Sequence, residues 1–285
     1  LAILFYYILI KFIFKDIYLE LISLIQPLFL NSKILTKFYK NIKRIQFYNK
    51  LNFGNGENEF FLVSYPKSGN TWLRFLIANL LYENEKLSLR NIGQYIPDMH
   101  VNNQQLNITD KKSEFNKFKI KIVKTHNTYS NFFSNKKIIY VVRDGRDAIV
   151  SYIHYINSRN INETVIDDLL EGNYNDSFGN WSDHVINWAN SKNKNMHIVK
   201  YEDILANPSR ELQLISNFLN YNASKDKISK AVENSSFNRL KEIEKEFGGI
   251  TKLNKKNIKP FFRKGKSNNF RDILNEEHLK VFFDK

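Results

Sequence analysis

The sequence predicts an α/β fold: a three-layer domain with a central, mainly parallel sheet. Four short apolar runs have the length and composition of buried parallel strands, and they lie near Phe60, Ile120, Ile138 and His197. Two of the runs continue through a polar turn that contains glycine into an apolar helical pattern, which is the order strand, loop and helix. Because such folds bind ligands at the carboxyl ends of their strands, we expect the functional residues there.

Composition restricts the class of protein. The 285 residues suffice for one large α/β domain or two small ones, and 42% hydrophobic with 25% charged residues is ordinary for a globular chain. The 43 Lys and Arg residues exceed the 29 Asp and Glu residues and give a net charge of +14, which favours phosphorylated ligands, polyanions or anionic membranes. The absence of Cys excludes disulfides, Cys-ligated zinc, iron–sulfur clusters and thiol catalysis.

Residues 1–51 are predicted to form a hydrophobic and basic extension in front of the domain. Leu1–Ile10 is apolar throughout but shorter than the ~20 residues of a membrane-spanning helix. A truncated anchor, an interfacial helix and a helix packed on the domain therefore stay open, and the first residue, a Leu, is compatible with a fragment or a processed form. The stretch from Lys33 to Arg44 has the pattern of a basic amphipathic helix, which either packs on the protein with a solvated basic face or lies on an anionic membrane.

The first chemical motif follows the apolar run that ends at Ser64. Pro66 ends the strand, Gly69 permits a tight turn, and Thr71 falls near a helix start, where its hydroxyl and free backbone N–H groups can hold a phosphate. The motif predicts a P-loop-like phosphate-binding loop, although it is not a Walker sequence, because Lys67 precedes the only glycine. An ordinary strand-to-helix turn with a chance lysine is the alternative.

A second strand, turn and helix begin at Lys136. Arg143 stands at the end of this strand and Ser151 lies eight residues further on, so a guanidinium and a hydroxyl can converge on one anion. On these residues alone, an Arg–Asp surface network around the turn is the better interpretation.

Both motifs resemble segments of the sulfotransferases that use 3′-phosphoadenosine 5′-phosphosulfate (PAPS). Tyr65–Trp72 matches the Pro-Lys-Ser-Gly-x-Thr-Trp pattern of the family's 5′-phosphosulfate-binding loop in full, and Arg143–Ser151 is similar to its 3′-phosphate-binding segment. Further similarities follow in collinear order over residues 58–285. Lys124-Thr125-His126 resembles the family's Lys-x-His segment, and Tyr201-Glu202-Asp203 resembles its Tyr-Glu-Asp segment. Ser235-Ser236-Phe237 resembles the segment that contacts the adenine, and Arg263-Lys264-Gly265 resembles the segment that binds a phosphate. Two positions depart from the family. Thr128 replaces the proline that the family usually has two residues after the histidine, and Asn268–Arg271 replaces the family's Gly-Asp-Trp-Lys.

The resemblance implies the function and the site. It implies transfer of a sulfuryl group from PAPS to a hydroxyl or amine of an unidentified acceptor, with PAP as the product and no metal. It implies His126 as the base, with Lys67 and Lys124 stabilising charge near the transferred group. The residues implied to bind PAPS are Lys67, Ser68, Gly69, Asn70, Thr71, Trp72, Arg143, Ser151, Tyr201, Ser235, Phe237, Arg263, Lys264 and Gly265.

Two other classes remain as alternatives: a Mg²⁺-dependent nucleotide or small-molecule kinase, and a basic nucleic-acid-binding protein. The expected acceptor is a small molecule, a carbohydrate or a lipid, and nucleic acid is not expected. The acceptor pocket is expected in four loops: Gly93–Asn107, Asn127–Phe133, Asn157–Asp183 and Phe247–Lys259. In the first of these loops, Asp98 and His100 either face the acceptor or have a structural role as loop or capping residues. The expected location is cytoplasmic, with membrane association through residues 1–51 left open.

Overall fold

The computed structural model confirms the predicted three-layer α/β architecture. It describes residues 53, 56–83, 85–99, 115, 118–157, 165–171, 178–248 and 260–284. The predicted extension over residues 1–51 lies outside these described residues, and so do His100 and parts of three of the four acceptor loops. Within the described ranges, no helix is both long enough and apolar enough to cross a membrane.

Four parallel strands form the central sheet. They are β1 (Glu59–Ser64), β2 (Lys121–Thr125), β3 (Lys137–Val142) and β4 (Met196–Lys200), in the order β2-β1-β3-β4. All three pairings are parallel, so the four carboxyl ends meet at one edge of the sheet. Each strand coincides with one of the four predicted apolar runs.

Helices connect and cover the strands. Those in the described residues are α1 (Asn70–Leu81), α2 (Ile92–Tyr95), α3 (Gly145–Asn157), α4 (Val165–Glu171), α5 (Trp181–Ala189), α6 (Tyr201–Ala206), α7 (Pro208–Phe218), α8 (Lys225–Asn234), α9 (Phe237–Phe247) and α10 (Glu276–Phe283). Short 3₁₀ helices occur at Asn131–Phe133 and Asn269–Asp272.

The sheet is buried on both faces, as its unbroken apolar strands require. Phe60 and Leu62 join the larger core cluster, which includes the apolar side of α1. Phe61 points to the opposite face, where its ring meets the edge of Phe133 at a centroid distance of 5.3 Å. On α3, Ile149 belongs to a second core cluster that also contains Tyr65. Hydrophobic clusters on both faces of the sheet therefore hold the strands and the loops that follow them in place.

Helix α3 begins earlier than the sequence indicates. The residues after Arg143 were expected to form a polar turn, but α3 already starts at Gly145, because the Asp144 carboxylate accepts a hydrogen bond from the Arg146 backbone N–H at 2.9 Å and so caps it. Helix α6 directly follows β4, and its first turn contains Glu202 and Asp203, whose carboxylates are favoured there by the helix dipole.

Candidate active site

The predicted site residues follow the carboxyl ends of all four strands. Lys67 lies three residues beyond β1, His126 directly follows β2, Arg143 directly follows β3, and Tyr201 directly follows β4. The register places Ser64 beside Val141, so the ends of β1 and β3 lie at the same level. Parallel pairing is therefore what brings together residues that are far apart in the chain.

One cavity of about 780 Å³ opens at this edge of the sheet. Fourteen of the predicted residues line it: Lys67, Gly69, Asn70, Thr71, Trp72, Lys124, His126, Arg143, Ser151, Tyr201, Phe237, Arg263, Lys264 and Gly265. Ser68 and Ser235 do not line it, although both are fully buried. The Ser235 carbonyl instead accepts a hydrogen bond from Trp72 Nε1 at 2.9 Å, so this serine fixes the position of the tryptophan.

The loop between β1 and α1 has the backbone of an anion-binding turn. Lys67 and Gly69 both adopt the left-handed conformation, with φ of 64° and 97°. A side chain at Gly69 has no room, because a Cβ there would lie 2.4 Å from the Tyr201 ring. Helix α1 starts without a side-chain cap and without an acidic residue in its first turn. Its first N–H groups are therefore available to an anion in the cavity.

Lys67 extends its ammonium group between two aromatic rings. Lys67 Nζ lies 4.4 Å from the centroid of Tyr155 and 4.4 Å from that of Phe261. The faces of both rings attract the cation and restrict it to the cavity wall.

Arg143 connects three segments around the cavity. Its guanidinium donates to the Lys67 carbonyl oxygen at 3.3 Å and to the Lys266 carbonyl oxygen at 3.1 Å. It also lies 3.5 Å from the Asp147 carboxylate and stacks on the Tyr201 ring at 4.3 Å. The buried Nε of Arg143 has no hydrogen-bond partner among the described residues. Arg146 and Asp144 form a partly exposed ion pair of the kind that the alternative interpretation expected, whereas Arg143 and Asp147 are buried.

Asp147 holds the C-terminal segment against the cavity. This fully buried carboxylate accepts hydrogen bonds from the backbone N–H groups of Asn268, at 2.8 Å, and Phe270, at 3.0 Å. Burial and the nearby Arg143 charge lower the pKa of Arg263. Two guanidinium groups that repel each other at one cavity wall create a site that favours an anion.

Three aromatic residues form one side of the cavity. The rings of Trp72 and Tyr201 meet edge to face at 5.7 Å. Phe237 covers Gly265, which has a φ of 60° and where a Cβ would lie 2.5 Å from the ring. Lys264 lies next to this glycine and pairs with Asp272 at 2.8 Å. The arrangement places flat apolar surfaces beside cationic side chains.

The ring of His126 is held in one tautomer. Its Nδ1 lies 2.7 Å from the Ser64 carbonyl oxygen and 3.3 Å from Ser64 Oγ. Asn70 donates to the same hydroxyl at 3.1 Å, which links the loop after β1 to the histidine. A carbonyl oxygen can only accept, so Nδ1 carries the proton of the neutral ring and Nε2 is the basic nitrogen. The Phe178 ring packs against the imidazole at 5.5 Å.

Lys124 is buried in a compact charged cluster. Its Nζ donates to the Asp98 carboxylate at 2.7 Å. Burial lowers the pKa of Lys124, and the Asp98 charge opposes this effect. Arg74 lines the same wall, donates to the Ile96 carbonyl oxygen, and has its pKa lowered by burial. Asp98, a candidate from the sequence, thus contacts a predicted site residue directly.

Three residues of the site were missed by sequence reasoning: Arg74, Asp147 and His184. Arg74 lies inside an apolar helical pattern, and the two backbone N–H groups that Asp147 binds are more than 120 positions away in the chain. His184 lies behind the cavity and donates to the His126 carbonyl oxygen at 3.2 Å. The only signal for His184 was the spacing of four residues to Trp188, which places both side chains on one side of a helix.

The fold and the cavity define a nucleotide-binding α/β domain of the phosphate-loop type. A family model described as "Sulfotransferase domain" matches residues 57–284. Sulfotransferase 1 family member D1 of Mus musculus is 31% identical over 246 residues, which is 79% of this chain and 81% of that protein. Sulfotransferase 1B1 of Mus musculus is 28% identical over 204 residues, 67% and 68% of the two chains.

Solved structures show the same similarity. Mouse sulfotransferase SULT7A1 in complex with PAP has a TM-score of 0.60 and 25% identity, and the match covers 83% of this chain and 86% of that one. A retinol dehydratase has the same fold, with a TM-score of 0.64 and 21% identity over 83% and 81% of the two chains. The chain therefore belongs to the sulfotransferase domain family, and it is a PAPS-dependent sulfotransferase.

The residues present fit such a donor. Its phosphate and sulfuryl groups are anionic, and the cavity wall carries eight cationic side chains with Asp98 as the one carboxylate among the described lining residues. Three buried polar atoms of lining residues, Asn70 Oδ1, Arg74 Nε and Arg143 Nε, have no hydrogen-bond partner in the described part of the chain. Buried polar atoms are usually paired, so these three are candidates to bind a ligand in the cavity.

Proposed function

We propose that the cavity binds PAPS and that His126 removes the proton from the acceptor. The observation that carries the proposal is the contact between His126 Nδ1 and the Ser64 carbonyl oxygen, because it leaves Nε2 as the base in a residue that lines the cavity. When bound, PAPS supplies the sulfuryl group, which passes to an acceptor oxygen or nitrogen.

Lys67 and the N-terminus of α1 are proposed to stabilise the negative charge that develops at the 5′-phosphate. The left-handed backbone at Lys67 and Gly69 supports this, because it turns successive N–H groups toward one point. A preorganised donor of this kind is worth about 3–4 kcal/mol in comparable sites. Lys124 is proposed to add charge near the transferred group, in partnership with Asp98.

The 3′-phosphate is proposed to bind Arg143, Ser151, Arg263, Lys264 and the backbone of Gly265. The support is the repulsion between Arg143 and Arg263, which an anion would relieve. Lys264 would exchange its exposed contact with Asp272 for the phosphate. Trp72, Tyr201 and Phe237 are proposed to enclose the adenine, with Ser235 holding the indole in place.

The acceptor is proposed to be a small molecule that presents its hydroxyl or amine on an aromatic or apolar body. Beside His126, the described wall contains Phe178, Tyr152 and Tyr155. Such surfaces match the flat or apolar parts of an acceptor, while the charged pair of Lys124 and Asp98 lies on the same wall.

We also propose that residues 58–285 form the catalytic domain and that residues 1–51 precede it as an extension. The match of the family model over residues 57–284 supports this division. A cytoplasmic location is proposed as well, because a relative from Danio rerio, 24% identical over 274 residues, is named a cytosolic sulfotransferase.

Nucleotide binding tests the proposal. Thermal unfolding is measured with PAP, with AMP, with Mg-ATP and with an oligonucleotide. We expect stabilisation by PAP, less by AMP because it lacks the 3′-phosphate, and none that requires Mg²⁺. His126→Ala should bind PAP as the wild type does and lose turnover, whereas Arg263→Ala should mainly weaken PAP binding. Equal stabilisation by PAP and AMP would refute the 3′-phosphate site, and normal turnover of His126→Ala would refute the base.

A further inference from the structure

One face of α5 holds the main chain that carries His126. His184 and Trp188 lie one helical turn apart, and both are fully buried. His184 Nε2 lies 3.2 Å from the carbonyl oxygen of His126, and Trp188 Nε1 donates to the carbonyl oxygen of Asn127 at 3.0 Å. Two donors on one helix thus bind two consecutive carbonyl groups of the loop that follows β2.

The tautomer of His184 is fixed by its partners. The His126 carbonyl oxygen can only accept, so His184 Nε2 carries the proton and Nδ1 accepts from the Tyr140 hydroxyl, 3.1 Å away. The Tyr140 ring also stacks on His184, at a centroid distance of 5.9 Å and an angle of 15°. Burial lowers the pKa of His184 to about 4, so the ring is neutral at pH 7.

The loop has a particular need for this support. Thr128 stands where sulfotransferases usually have a proline, so no ring fixes the backbone torsion two residues after His126. The ring of His126 is oriented by Ser64, but its Cα is positioned by the main chain that α5 binds. A base that moves by about 1 Å can lose about 10²-fold in rate.

We propose that His184, oriented by Tyr140, is a positioning residue for His126. It holds the His126 carbonyl oxygen and so keeps the imidazole at its working distance from the acceptor. The proposal rests on the proposed role of His126 as the base. It gives His184 no contact with the donor or the acceptor.

Paired substitutions test the proposal in the full chain. His184→Leu has a similar volume and no donor, whereas His184→Gln keeps a donor near the position of Nε2 and an acceptor for Tyr140. We expect kcat to fall about 10²-fold in His184→Leu, with little change in the KM for PAPS or for the acceptor. His184→Gln should restore most of the lost kcat. The matched control is Asn193→Leu, because Asn193 donates to the Phe133 and Lys136 carbonyl oxygens at 2.5 and 2.9 Å, at the far end of the same loop. It should lower stability and leave kcat unchanged.

NMR of wild-type protein with ¹⁵N-labelled histidine measures the tautomers of His126 and His184. This measurement needs neither turnover nor a substitution. We expect the Nδ1–H tautomer for His126 and the Nε2–H tautomer for His184. Tyr140→Phe should leave His184 in the Nε2–H form, because the His126 carbonyl oxygen still accepts from it, and should lower kcat by about 3- to 10-fold, since the ring loses one orienting hydrogen bond. A wild-type His184 in the Nδ1–H form would overturn the proposal.

The kinetic outcomes separate this proposal from the proposed function. If His126→Ala turns over normally, both the base and its positioning residue are wrong. If His126→Ala is inactive while His184→Leu, folded and able to bind PAP, keeps the wild-type kcat, only the positioning role is wrong. A loss in His184→Leu that His184→Gln does not restore would assign the effect to packing and would also overturn the proposal.

Discussion

Gly69→Ala should damage the donor site by a specific route. The residue has a φ of 97°, which costs a side-chain-bearing residue about 1–2 kcal/mol. The new methyl group would lie 2.4 Å from Cδ2 and 2.9 Å from Cε2 of Tyr201, and such overpacking costs about 1–3 kcal/mol. The lower entropy of alanine in the unfolded chain offsets only about 0.4–1 kcal/mol. We therefore expect a net loss of about 2–4 kcal/mol in the free energy of unfolding.

The loss should extend to PAP binding, because Tyr201 has no alternative position without cost. Its ring lies 4.3 Å from the Arg143 guanidinium and 5.7 Å from the Trp72 ring, so a displaced ring disturbs both. Denaturant unfolding and calorimetric titration with PAP measure the two effects. Gly179→Ala is the matched control: its φ is 70°, and no atom lies within 4 Å of the added Cβ. It should lose about 1 kcal/mol of stability or less and keep its PAP affinity. Wild-type PAP affinity in Gly69→Ala would refute the reasoning.

Three further predictions follow from the same structure. Asp147→Asn should weaken PAP binding and cost about 1–3 kcal/mol of stability, because Asn268 and Phe270 donate to different carboxylate oxygens and an amide keeps only one of them; calorimetry and denaturant unfolding check this. Lys67→Ala should lower kcat about 10²- to 10³-fold with a smaller change in PAP affinity, measured by steady-state kinetics and titration. Stability should fall as the pH drops from 6.5 toward 4, because the buried His184 has a pKa of about 4 against 6.5 for an ordinary histidine and the unfolded chain takes up the proton first. The loss is about 3 kcal/mol, and unfolding at several pH values should show it reduced in His184→Gln.

The local elements were predictable because their signals are contiguous in the chain. The run Phe60–Ser64 followed by Pro66, Lys67 and Gly69 contains a strand, its end and the turn within ten residues. Asn207 and Pro208 are likewise a contiguous signal for a helix start, and in α7 the Asn207 side chain accepts from the Arg210 N–H at 3.0 Å. Parallel pairing then follows from the fold class and needs no further information.

The supporting contacts were not predictable, because they join distant segments. His184 and His126 are 58 positions apart, and nothing in the local sequence distinguishes this histidine from a core residue. Ser235 shows the same limit: the resemblance implies a contact with PAPS, whereas in the structure its carbonyl oxygen holds Trp72 and the residue does not line the cavity. The start of α3 was misjudged because Asp144 is typical of turns, whereas a helix start also favours this residue.

Transfer of radiolabelled sulfur from PAPS to a panel of hydroxylated acceptors, in the presence of EDTA, tests the central claim most directly. The wild type should label at least one acceptor and release PAP in equal amount. His126→Ala, with its PAP binding confirmed by titration, should label the same acceptor at least about 10³-fold more slowly. Equal labelling by the two proteins, or phosphate transfer from Mg-ATP in place of sulfuryl transfer, would contradict the account.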